Sequence, residues 1–96
     1  MRKIDFLAAS AFHNNENFRL SNTEVRVNNT HVYLLLHGNL IAEKDISKGL
    51  VWCSLAGYNT LTTKSRLRAL GANIETKRGK IFANGKEIHS LQWFHL

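Results

Sequence analysis

The chain has 96 residues and a mass of 10.9 kDa, 44% apolar and 21% charged, which suits one globular core and excludes a disordered chain or a rod. Its longest apolar run, Val32–Leu36, falls far short of the roughly 18 residues of a membrane span, and a lone cysteine, Cys53, excludes an intramolecular disulfide. The net charge of +6 is uneven: residues 1–48 carry +1 and residues 49–96 carry +5, with the excess between Lys64 and Lys86.

Met1-Arg2-Lys3 ahead of Ile4–Phe12 imitates a signal peptide, but Asp5 interrupts the apolar stretch and the remainder is short and alanine-rich. A reducing cytoplasm is the expected location. Ile4, Leu7, Ala8, Ala11 and Phe12 recur at helical spacing and predict a short first helix ending near His13, where three asparagines follow. From Thr23 the period changes to two: Val25 and Val27 share one face, Glu24 and Arg26 the other. Asn28-Asn29 and Gly38-Asn39 are turn pairs, so Val32–His37 and Leu40–Lys44 are the next strands. Leu50–Ala56 is apolar on both faces and is expected to lie centrally, covered on at least one side by a helix.

Thr62–Leu70 reads as the main helix, with Thr60 or Thr62 at its start, Gly71 at its end, and Thr63, Leu67 and Leu70 inward. Ile74–Lys77 and Lys80–Ala83 are short strands joined through Gly79, and Asn84-Gly85 turns the chain into Lys86–His89. The predicted fold is a single α+β domain over residues 1–96. It is an antiparallel meander of five to six strands with the 62–70 helix on one face and the N-terminal helix nearby. The tail, with Leu91, Trp93, Phe94 and Leu96, is too apolar to stay free. Trp93 and Phe94 are therefore candidate interface residues, covered within the chain or across the two-fold axis of a homodimer.

Catalytic and metal-binding patterns are missing from the sequence. Cys53 has no nearby cation and reads as core, His31 and His37 are too far apart on a strand to share an ion, and no phosphate-cradling loop or nucleophile elbow occurs. Neither a cofactor nor an enzymatic activity is expected. Glu43 and Asp45 lie two apart on a strand, an arrangement that reads as an exposed salt-bridged edge with Lys44. One local conflict stands out. Lys64, at the start of the main helix, opposes the macrodipole, and Arg66 and Arg68 follow it. With Lys64 and Arg68 turned away from the core and Tyr58-Asn59-Thr60 leading in, this segment has the parts of an anion site; in the competing reading the arginines merely snorkel over the core edge. Lys77, Arg78 and Lys80 extend the basic region, and with Tyr58, Asn59, Lys64, Arg66 and Arg68 they are the candidate binding residues.

Three segments carry a resemblance: Leu36-His37-Gly38-Asn39-Leu40-Ile41-Ala42, then Ala56-Gly57-Tyr58-Asn59-Thr60 running into Thr62-Thr63-Lys64-Ser65-Arg66-Leu67, and Gly79-Lys80 ahead of Asn84-Gly85-Lys86-Glu87. In order and spacing, from about Thr23 to Glu87, the chain resembles a group of small bacteriophage proteins, with Arg68 where that group usually has asparagine. The resemblance implies a phage origin, action in the cytoplasm of the infected host cell, and function by binding. The implied partner is a host protein or nucleoprotein complex that is inhibited, for example a CRISPR effector. The basic segment supplies the rival expectation of direct nucleic-acid binding, and neither reading involves a membrane.

Overall fold

A computed structural model describes all residues, 1–96. The chain forms α1 (Lys3–His13), β1 (Phe18–Leu20), β2 (Thr23–Val27), β3 (His31–Leu36), β4 (Asn39–Asp45), β5 (Val51–Cys53), α2 (Leu61–Leu70), β6 (Ile74–Lys77), β7 (Lys80–Ala83), β8 (Lys86–Ile88) and β9 (Phe94–His95). The fold is α+β, and its main sheet is an antiparallel meander in the order β1-β2-β3-β4-β5-β9. Two features extend the expectation: β1 forms directly after the asparagine-rich turn, and β6-β7-β8 make a second, three-stranded sheet instead of joining the first.

Alternation decides which face of the main sheet is buried. Val25, Val32, Leu34, Leu36, Ala42 and Val51 point to one side, where both helices pack. Ile41 is the extra residue of a bulge, since Leu34 faces Ala42 while Leu35 faces Leu40. The bulge lets Ile41 and Ala42 both turn inward, which a regular strand forbids, and sets Lys44 on the buried side. The expected exposed edge at Glu43-Lys44-Asp45 is therefore corrected. Lys44 lies beneath α1, its Nζ donating to the carbonyls of Phe12 at 2.9 Å and His13 at 3.2 Å, so that a cation meets the negative end of that helix.

The first helix is rotated from its expected stripe. Asp5, Ala8, Ala9, Ala11 and Phe12 are buried, while Leu7 is exposed. The cause is Asp5, which must face inward to meet Arg66 on α2. In α2 the expected features appear: Thr60 Oγ1 accepts from the Thr63 amide at 3.1 Å, Gly71 takes the left-handed cap at φ 114°, and Thr63, Leu67 and Leu70 are buried. The tail returns as β9 against β5, with Phe94 buried and paired to Cys53. Phe94 is thus core and not interface, because it fills the inward position at the end of the main sheet. The 50–56 strand is shorter than expected, and Leu50 and Trp52 are exposed because both helices lie on the opposite face.

Candidate functional site

The predicted basic cluster is divided by the fold. Arg66 is only 3% exposed and forms an ion pair with Asp5 through Nη1, while its Nε donates to Thr23 Oγ1 at 2.9 Å and its Nη2 to Asn22 Oδ1 at 3.3 Å. Ser65 Oγ and the Arg2 amide donate to the second Asp5 oxygen at 2.7 and 2.9 Å. Burial opposes ionisation of Asp5, but the bonds from Ser65, the Arg2 backbone and Arg66 together outweigh it and hold the carboxyl below its ordinary range. Arg66 is therefore a structural clamp between α1, α2 and β2, not a surface contact.

Lys64 is also corrected: it is 7% exposed, and its Nζ donates to Thr76 Oγ1 on β6 at 2.9 Å. Arg68 is exposed, but its Nε and Nη2 donate to the Ile74 carbonyl at 3.1 and 2.7 Å, tying α2 to the second sheet. Spacing along the helix turns Lys64 outward, and β6, which lies against that face, is what buries it. Tyr58 and Asn59 are exposed in the loop before α2. Tyr58 lines a cleft of about 400 Å³ with Leu36, His37, Asn39, Ile41, Thr60, Thr62 and Thr63. All eight lining residues come from the first two segments that carry the resemblance. The hydroxyls of Thr60 and Thr63 lie 2.9 Å apart and bond each other.

Lys77, Arg78 and Lys80 remain together on the β6–β7 hairpin. Arg78 and Gly79 form its two-residue turn with φ of 52° and 76°, and Lys77 pairs with Lys80 across it. Glu75 lies 3.3 Å from the Lys77 ammonium and Glu87 lies 3.9 Å from that of Lys80, all at exposed positions. Of the eight predicted binding residues, the structure thus gathers these three at one tip and brings Lys64 beneath the adjoining Thr76.

The outer face of the main sheet was not anticipated as a site. Register places Arg26, Tyr33, Glu43, Trp52 and His95 in one row across five strands, beside a second row of Arg19, Glu24, Leu35 and Leu40. Trp52 is 40% exposed and lies against His95 with ring centroids 3.5 Å apart and planes tilted by 34°, and His31 stacks on Tyr33 at 5.9 Å. Next to Trp52 a shallow depression of about 330 Å³ is lined by His31, Glu43, Asp45, Lys48, Leu50 and Trp52. Trp93, also 40% exposed, precedes β9. The sequence signal for this face was present: β3 is apolar at five consecutive positions, so neither of its faces is polar.

No three His, Cys, Asp or Glu side chains gather closely enough to hold a metal ion. Cys53 is fully buried, and burial pushes its thiol up to about 12, leaving it protonated and a poor nucleophile. No helix is long and apolar enough to cross a membrane. A family model described as Kyanoviridae Gp96 protein matches residues 1–95. No curated protein and no solved structure shows significant similarity to the chain.

Proposed function

We propose, from the premise that the chain belongs to the Kyanoviridae Gp96 family of bacteriophage proteins, that it is a non-enzymatic protein that binds and disables a host protein or nucleoprotein complex during infection. The observation that carries this reading is the uncovered outer face of the main sheet. In a two-layer α+β domain that face is ordinarily polar, yet here it presents Tyr33, Leu35, Leu40 and Trp52. Aromatic side chains of this kind are the usual anchors of protein interfaces. Charges of both signs alternate around them, Arg19, Arg26 and Lys48 against Glu24, Glu43 and Asp45. A balanced face of this kind favours a folded protein surface over a polyanion. The adjoining depression beside Trp52 offers a socket for one partner side chain.

The test is affinity purification from infected host cells with the mass of each retained partner read out, run in parallel with Trp52→Ala. One host polypeptide retained near stoichiometry by the wild type, and weakened at least about 30-fold by Trp52→Ala, is the expected result. Retention of no host polypeptide, or equal retention by the variant, contradicts it.

A further inference from the structure

We propose that the tip of the β6–β7 hairpin is a contact for the phosphate backbone of nucleic acid, with Arg78 at its apex and Lys77 and Lys80 flanking it. This goes beyond the host-protein reading and rests on a different surface. Three cations occupy four consecutive positions, 77 to 80, and two of them face each other across the turn. Like charges directly opposite weaken a strand pair, and the left-handed conformation at Arg78 disfavours any residue other than glycine or asparagine. The neighbouring turn obeys the usual rule with Asn84-Gly85, φ 54° and 81°, whereas His37-Gly38 departs from it as Arg78-Gly79 does, with φ 51° and 78°; the β6–β7 hairpin differs from both in setting two cations directly opposite each other across the turn. The hairpin therefore holds its cations against local preference, and such departures concentrate where a ligand is bound.

The surroundings reinforce the positive field. Lys64 reaches Thr76, the residue before Lys77, and no carboxylate lies within salt-bridge distance of its ammonium, so the charge beneath the tip is uncompensated. Glu75 and Glu87 hold Lys77 and Lys80 only through exposed contacts, which polyanion binding and salt both displace readily. An acidic protein partner would need an apolar centre to its interface. The tip has none: Thr76, Lys77, Arg78, Gly79 and Lys80 are polar or bare. The Lys77–Lys80 pair and its turn extend past the last residue of β8 to pair with β7, Ile88 opposite Ile81, so the guanidinium at the apex is placed to reach phosphates that border a duplex groove.

The experiment is fluorescence anisotropy of a labelled random-sequence duplex DNA titrated with the full chain at several salt concentrations. Three phosphate contacts predict a roughly 40-fold loss of affinity between about 50 and about 200 mM salt. Lys77→Thr with Arg78→Asn and Lys80→Thr keeps strand- and turn-compatible residues and is expected to flatten the salt slope by about 2 to 3; Arg78→Asn alone should flatten it by about 1. Arg2→Gln with Lys3→Gln removes two charges from exposed positions off the hairpin and off the outer sheet face and should change the slope little. Trp52→Ala should leave DNA affinity unchanged, so failure here and failure of the host-protein reading are separable. An equal loss in the off-hairpin variant, salt-independent affinity, or displacement of the DNA by poly-glutamate as effectively as by unlabelled duplex would each overturn the proposal.

Discussion

At the scale of single residues, the buried charges define what the sequence hid. Asp5 looks like an interruption in an apolar helix, but it is the anion that allows Arg66 to be buried. Breaking a buried pair from one side leaves an uncompensated charge, so Arg66→Met is expected to cost about 3 to 5 kcal/mol in urea unfolding, with Asp5→Leu added to it recovering much of the loss. Because the folded pKa of Asp5 lies below its ordinary 3.8, the contribution is present above that value and lost as pH falls through the lower folded one. A urea midpoint that drops across this acid range in the wild type and much less in Asp5→Asn is the expected observation. Lys44 follows the same logic: Lys44→Met removes donors from two carbonyls at the end of α1 and should cost about 1 to 3 kcal/mol. None of this was legible locally. A helix wheel shows that Asp5, Ala8, Ala9 and Phe12 can form a stripe as well as Ile4, Leu7, Ala8 and Ala11, and only the position of Arg66 across the helix interface chooses between them.

At the scale of elements, local chemistry was a good guide wherever caps and turns settle the outcome. Thr60 and Gly71 bound α2 because a hydroxyl satisfies a free amide and glycine accepts the left-handed cap. Thr60→Ala should destabilise the protein by about 1 kcal/mol. The β6–β7 and β7–β8 hairpins form where their turn residues place them. The β3–β4 turn sits one residue earlier than the glycine-asparagine pair suggested, at His37-Gly38, since Asn39 already pairs with Leu36. What pattern did not reveal was partnership: β6–β8 forms a sheet of its own, tied to α2 by Lys64 and Arg68 and to β9 by the Asn84 side chain, which donates to the His95 carbonyl at 3.0 Å. The tail shows the same limit. Phe94→Ala is expected to cost about 3 to 5 kcal/mol, as for a core aromatic. Arg78→Asn should instead raise the unfolding midpoint slightly while weakening DNA affinity, the opposed signs expected when a strained residue serves binding.

For the whole molecule, two surfaces follow from how the layers are arranged. Both helices lie on one side of the six-stranded sheet, leaving an aromatic, charge-balanced face on the other, while the second sheet carries the surplus cations outward. Of the basic region legible between residues 64 and 86, the α2 cations Lys64, Arg66 and Arg68 hold the fold together, while Lys77, Arg78 and Lys80 stay exposed on the hairpin. The doubly apolar 50–56 strand is covered by helices on one side, as expected, and its other side stays open, with Leu50 and Trp52 exposed. Hydroxyl-radical footprinting of the chain, free and bound to any host polypeptide that the affinity purification retains, tests the proposed host-protein reading most directly, because it reads side-chain cover residue by residue. Strong protection of Trp52 and Tyr33, with Tyr58 as reactive as in the free protein, is the expected result; protection of Tyr58 with Trp52 left reactive would place the working surface at the α2 cleft and contradict the account.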